Sequence, residues 1–233
     1  MLIALEGIDG AGKSTQIQRL AQALRREGLD VVTTREPTAG PHGRRLRELF
    51  SDRAALNPDE ELRLFIEDRR EHVATLIGPA LAAGKVVLTD RYYFSTAAYQ
   101  GAVGHDPAAI LATNEAFAPR PDLVLLLTLP PTFGVRRVRE LRGERPNDFE
   151  REDYLRRVAA IFAGFTQPCL VRIDADGRLD QVQRDIWQAV QGLLVRGKSV
   201  GNEYEHKHEQ EAKNTSVSTG EHEHEHKYKH KRE

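Results

Sequence analysis

The sequence predicts an α/β fold, a five-stranded parallel sheet with helices on both faces, and three observations carry that prediction. Short apolar runs alternate with longer amphipathic stretches along residues 2–195. Parallel strands covered on both faces read as such runs, and each needs a crossover helix to reach the next. The first run leads directly into GIDGAGKS, Gly7 to Ser14, which satisfies G-x-x-x-x-G-K-[ST] at every fixed position and is followed by Ile17, Leu20, Ala21 and Leu24 at helical spacing. The 233 residues suffice for one α/β domain with a substantial core. Strand, glycine loop and helix in this order specify a three-layer P-loop fold.

The elements follow in order. Residues 2–5 are the first strand. In the loop after it, the glycines let backbone N–H groups turn inward around a polyphosphate, and the helix N-terminus adds partial positive charge. Gly7, Ile8, Asp9, Gly10, Ala11, Gly12, Lys13, Ser14 and Thr15 are therefore the phosphate-binding candidates, with Lys13 reaching the terminal phosphates and Ser14 a metal ion. Asp30 to Thr34 is the second strand, and residues 43–51 are helical. Residues 58–83 form a long amphipathic stretch with Leu62, Phe65, Ile66, Val73, Leu76 and Ile77 at mixed three- and four-residue spacing. Asn57 suits its cap, Pro58 its first turn, and Gly84 stops it. Lys85 to Thr89 is the third strand, residues 106–117 a helix opened by Asp106-Pro107, and Asp122 to Leu127 the fourth strand. Helices near 131–141 and 151–164, a fifth strand from Cys169 to Ile173 and a last helix over 178–195 complete the domain, 1–196.

From Gly197 the composition changes. The tail, 197–233, is charged, almost free of aliphatics and holds six of the nine histidines, so it is expected to be disordered. His222, His224 and His226 alternate with glutamates and offer at most weak transition-metal binding. The net charge of −1 leaves no global basic field for a nucleic-acid partner. The lone Cys169 excludes an intrachain disulfide, fits a reducing compartment and reads as a small core residue. No apolar run approaches the roughly 20 residues of a membrane span, and the chain opens on a strand rather than a signal peptide, so a cytoplasmic protein is expected.

Three further groups of residues bear on chemistry. Asp90 and Arg91 follow the third strand at the end where the phosphates should lie, Asp90 placed to hold a metal ion or its water and Arg91 a second phosphate group. Residues 136–151 are dense in arginine (Arg136, Arg137, Arg139, Arg142, Arg145 and Arg151) and broken by Gly143 and Pro146, the composition of a lid over a transferring phosphoryl group. A local nucleic-acid patch is the alternative, but interleaved aromatics are lacking. Phe65 and Arg69 are four apart on one helix. They suit either a core position or a nucleobase, the ring stacking and the guanidinium donating.

Several segments together resemble thymidylate kinase, the family that phosphorylates dTMP. They are EGIDGAGKSTQ from Glu6, TTREP over 33–37, GRRLR over 43–47, LFIEDR over 64–69 and, most specifically, DRYYFSTAAYQG over 90–101; PDL over 121–123 and IDA over 173–175 are smaller marks. The resemblance implies ATP as donor, Mg²⁺ at Ser14 and Asp90, and dTMP held by Asp9, Glu36, Arg47, Phe65, Arg69, Arg91, Ser95, Thr96, Tyr99 and Gln100. Within that set, Glu36, Arg47 and Arg91 surround the 3′-OH and phosphate, Phe65 stacks on thymine, and Arg69 donates to its carbonyl. Gly10 stands where some members carry a P-loop arginine, which resembles the bacterial type that draws its arginine from the lid; Arg142 and Arg145 are the lid candidates. The catalytic set implied is Lys13, Asp9, Arg91, Arg142 and Arg145. The family's usual homodimer is implied as well. Two departures stand out, EPTAG where many members have EPGGT and Thr128 where an aspartate is common.

The reaction expected is ATP + dTMP → ADP + dTDP, in dTTP biosynthesis. Two rivals remain open. A nucleoside kinase of the same fold would use Glu36 as base. A P-loop switch or ATPase would hydrolyse without acceptor, although neither an N-K-x-D motif nor an acidic pair after the third strand is present.

Overall fold

The computed structural model describes residues 1–51, 57–142 and 148–195. Five strands, β1 (Leu2–Glu6), β2 (Val31–Arg35), β3 (Val86–Asp90), β4 (Leu123–Thr128) and β5 (Leu170–Asp174), form one sheet in the order β2-β3-β1-β4-β5. Every pairing is parallel. Burial follows position in the sheet. All of β1 and nearly all of β3 and β4 are buried, whereas the edge strands β2 and β5 each bury a single residue.

The chain moves from β1 outward to β2, returns to β3, crosses to β4 and ends at β5. Right-handed crossovers then put α1 (Lys13–Arg26) on one face and, on the other, α2 (Pro41–Ser51), α3 (Pro58–His72), α4 (Gly78–Ala82), α5 (Tyr93–Gly101), α6 (Pro107–Glu115), α7 (Pro131–Arg142) and α8 (Asp148–Gly164). The compact unit that holds this sheet is Met1–Ala189; a second begins at Val190. Helix resumes over 179–189, where Leu179 O accepts from Gln16 Nε2 at 3.3 Å and Asp180 pairs with Arg19 at 2.7 Å.

Every expected strand is present, and each ends one residue later than the apolar run suggests. The added residues are Glu6, Arg35, Asp90, Thr128 and Asp174. All are polar, and all five are paired in the ladder. The long stretch over 58–83 is α3, a single π-turn at Val73–Ile77, and α4, so a five-residue turn accounts for the mixed spacing of its apolar residues. Asn57 and Asp106 cap α3 and α6 as expected, each accepting from the N–H two residues on at 2.9 Å. Helix α5 is additional to the sequence reading. Seven of its nine residues are buried, so it carries no amphipathic stripe to reveal it. Cys169 is a correction: it lies half-buried in the turn before the edge strand β5, not in the core. The tail and the 143–147 part of the expected lid lie outside the described residues.

Candidate active site

Strand β1 has β3 on one side and β4 on the other, so the loop after it opens at the point where the chain's direction across the sheet reverses. Crevices for ligands form there in α/β sheets. Gly7 takes φ 134°, and a Cβ on it would lie 2.4 Å from Leu127 O. Gly10 takes φ 82°, with Gly134 O of α7 only 2.5 Å from where its Cβ would be. Both positions therefore demand glycine, for conformation and for space.

Lys13 is buried beneath the loop, its ammonium donating to Gly7 O at 3.0 Å and Ile8 O at 2.8 Å. Burial, helped by the nearby Arg91 charge, brings it down to about 8 against the pull of Asp9, Asp90 and Glu6. The Ser14 hydroxyl donates to Asp90 Oδ2 at 2.5 Å. The end of β3 and the start of α1 thus put a hydroxyl and a carboxylate side by side at the mouth of the loop.

Arg91 leaves β3 with φ 73°, the one non-glycine residue with positive φ among the described residues. The turn aims its guanidinium back at the loop: Nη2 reaches Asp9 Oδ1 at 2.7 Å, and Nη1 reaches Ser95 Oγ at 2.9 Å and Gly7 O at 3.2 Å. The guanidinium lies 4.9 Å from the Tyr99 ring centroid, and the Tyr99 hydroxyl accepts from the Asp9 N–H at 3.0 Å. The loop, the turn after β3, the end of β2 and α7 enclose one cleft of about 540 Å³. It is lined by Asp9, Gly10, Gly12, Lys13, Ser14 and Thr15 with Arg35, Glu36, Asp90 and Arg91, and by Arg137, Val138 and Glu140 of α7.

Behind Glu36 lies a buried polar network. Arg69 of α3 donates to Glu36 Oε2 from Nε at 3.0 Å and from Nη2 at 2.5 Å, and also to Asn114 Oδ1 at 2.6 Å and Thr96 Oγ1 at 2.9 Å. His72 bridges Glu36 Oε1 at 2.9 Å and Thr34 Oγ1 at 2.7 Å. Burial would raise the Glu36 carboxyl, but Arg69 and His72 outweigh it and hold it below its ordinary value. Asp68 fixes the following loop through the Thr38 N–H at 2.8 Å and hydroxyl at 2.6 Å, and Arg47 spans that loop's carbonyls, Pro37 O at 3.1 Å and Thr38 O at 2.6 Å.

Of the residues singled out in the sequence, Asp9, Gly10, Gly12, Lys13, Ser14, Thr15, Glu36, Asp90 and Arg91 meet in the cleft. Ser95 and Tyr99 stand one bond behind it, through Arg91 and Asp9, and Thr96 two bonds behind, through Arg69 and Glu36. Gln100 is buried with no hydrogen-bond partner for its Oε1 among the described residues. Phe65 is half-buried against Phe50, ring centroids 6.2 Å apart. Arg69 is only 1% exposed and lies among buried polar partners, the core side of the two positions that spacing leaves open. Of the lid candidates, Arg142 closes α7 with no described side chain and Arg145 lies outside the described residues. The structure adds Glu6, His72, Asn114 and Gly134. Glu6 had a signal, an acid ending an apolar strand just before a phosphate loop; the other three had none.

A family model described as thymidylate kinase matches residues 5–186, most of the chain, from the end of β1 through all the other strands. The chain belongs to the thymidylate kinase family. It is 54% identical over 193 residues to a thymidylate kinase of Desulfotalea psychrophila, an alignment covering 83% of this chain and 95% of that protein. It is 48% identical over 201 residues to one of Xanthomonas campestris pv. campestris, covering 86% and 87%. A third, from Xanthomonas oryzae pv. oryzae, is 50% identical over 184 residues, covering 79% and 80%. The family match ends at 186, so the His-rich tail lies beyond it. Among the described residues no helix is long and apolar enough to cross a membrane.

Proposed function

We propose that this chain transfers the γ-phosphoryl group of ATP to dTMP, giving ADP and dTDP for dTTP synthesis. The observation that carries the reading is the single cleft in which a P-loop lysine, a serine–aspartate pair and an aspartate-held arginine converge, in a chain of the thymidylate kinase family. Backbone N–H groups from Gly7 to Thr15 cradle the ATP phosphates. Lys13, now held by two loop carbonyls, exchanges them for β- and γ-phosphate oxygens. Ser14 and Asp90 fit Mg²⁺: they are hard oxygen donors in contact, and magnesium is commonly held by one or two protein ligands with substrate phosphates completing the shell. Bound there, the ion neutralises charge on the phosphate oxygens.

On the acceptor side Arg91, steered by Asp9, meets the dTMP phosphate with Arg47, and Glu36 faces the sugar. Phe65 and Arg69 serve the base, and Ser95, Thr96, Tyr99 and Gln100 line base and sugar. Arg142 and Arg145 close from the lid. The attacking atom is a phosphate oxygen, already an anion, so catalysis is positioning and charge stabilisation without a general base. The state of Glu36 favours this acceptor over a nucleoside. Its oxygens are occupied by Arg69 and His72, and its carboxyl is held low, which makes it a poor proton acceptor. The same reading takes residues 1–196 as the catalytic domain and 197–233 as a separate tail, and the protein as a cytoplasmic homodimer with no nucleic-acid or membrane partner.

The test is ADP release from ATP and Mg²⁺ with dTMP, dUMP, dCMP, dGMP, thymidine or no acceptor. Turnover strongest with dTMP is expected; equal turnover without acceptor means an ATPase, and turnover only with thymidine means a nucleoside kinase. Lys13→Ala should lower kcat by about 10²–10³, the worth of one electrostatic donor in such a site.

A further inference from the structure

Glu6 is fully buried, the last residue of β1, and the chemistry above does not use it. Its carboxylate reaches across to the start of α5. Oε1 accepts from the Tyr92 N–H at 2.9 Å and the Ser95 N–H at 3.2 Å, and Oε2 accepts from the Ser95 hydroxyl. Tyr92 is the N-cap of α5 and gives it no side-chain cap, so an acid 86 residues away does the capping. The same segment is tied to β1 a second time, by the Arg91 N–H donating to Leu5 O at 3.0 Å. Two bonds from consecutive residues of one strand thus hold the turn in which Arg91 takes φ 73°.

We infer that Glu6 is a positioning residue for Arg91, acting through Ser95; this rests on the assignment of Arg91 to the acceptor's phosphate. The polarity of the chain decides it. An ionised carboxylate only accepts, so the Ser95 hydroxyl must point its hydrogen at Glu6. That leaves the Ser95 oxygen lone pairs for Arg91 Nη1, 2.9 Å away, while Nη2 of the same guanidinium takes Asp9. The fork is therefore oriented from two sides, Nη1 by Ser95 with the more distant Gly7 O and Nη2 by Asp9 with the more distant Tyr99 hydroxyl. A neutral amide in place of Glu6 keeps the shape but reverses the chain. With its oxygen on the two backbone N–H groups, its NH₂ donates to Ser95, whose hydrogen must turn elsewhere, with Arg91 itself a donor. Burial pushes the Glu6 carboxyl up to about 7, against its hydrogen bonds with Ser95 and Tyr92 and the charge of Arg91, so assays at pH 8 keep it ionised.

The test is the ratio of dTMP to thymidine affinity, measured by calorimetry at pH 8, because the two ligands differ only in the phosphate. In Glu6→Gln the ratio should fall about 10-fold or more, the loss of one oriented bond to a charged group, with thymidine affinity and the KM for ATP unchanged. A purely structural Glu6 would weaken both ligands together. Ser95→Ala cuts the same link without altering Glu6, and its ratio should fall likewise, which decides the matter should Glu6→Gln not fold. If Arg91→Ala collapses the ratio and both other variants preserve it, the role of Glu6 is overturned while Arg91 stays on the phosphate. If Arg91→Ala also preserves it, the phosphate assignment fails and the inference with it.

Discussion

Glu6 and Glu36 are buried almost equally, 0% and 4% exposed, yet their carboxyls shift in opposite directions. Glu6, ordinarily at 4.5, is pushed up to about 7 because burial dominates and its direct partners are neutral N–H and O–H groups. Glu36 feels the same burial but is held down by the Arg69 guanidinium and by His72. Burial alone does not decide whether an internal acid stays ionised; the charge of its direct partners does. The two acids also divide the labour. Glu36 sits in a paired network that ties α3 to the end of β2, whereas Glu6 spends stability to hold the turn in which Arg91 takes φ 73°.

The largest effect should come from breaking the paired acid. Arg69→Met leaves Glu36 buried without its cation and should cost about 3–5 kcal/mol, read by urea denaturation at pH 7. It should also raise the Glu36 carboxyl. A folded carboxyl held below its unfolded value contributes stability above about 4.5 that is lost as pH falls through the folded value. That acid-side loss should therefore shrink in the variant. An Arg69→Met protein as stable as its parent would mean the pair is no brace.

The second effect has the opposite sign. Glu6 is raised, so its contribution is fully present below the unfolded value, 4.5, and is lost as pH rises through about 7. The loss should reach about 3 kcal/mol. Glu6→Gln should remove that slope and keep the acid-side slope that Glu36 supplies, a distinction that unfolding free energies across pH 4 to 8 can read. Identical profiles for the two proteins would refute the contrast. The smallest effect tests the outer brace. His72→Leu strips one acceptor contact from Glu36 and the partner of Thr34, and should cost about 2 kcal/mol without changing kcat more than KM for dTMP.

Much of this was legible because the signals are local. Strand, glycine loop and helix follow from apolar run, spacing and capping residues, and they place Lys13, Ser14 and Asp90 correctly in the cleft. Boundaries failed in one direction. Strand ends read from apolar and β-branched residues fall one short of Glu6, Arg35 and Asp90, the charged residues that close the strands at the rim of the site. Helix α5 was unreadable for the converse reason, since an element buried on nearly all sides has no polar face to give it a period. Spacing leaves Arg69 open between core and nucleobase because a guanidinium in the core needs a partner, and Glu36 lies 33 residues away along the chain.

By itself the sequence determined every strand, most of the helices, the phosphate loop and the family, since each depends on residues close together or on short motifs. Only the tertiary structure decided which charges meet. The strand order brings the end of β1 beside the turn after β3, so that Glu6 caps a helix 86 residues on and Asp9 meets Arg91. A buried charge takes its character from neighbours in space, and chain spacing does not name them.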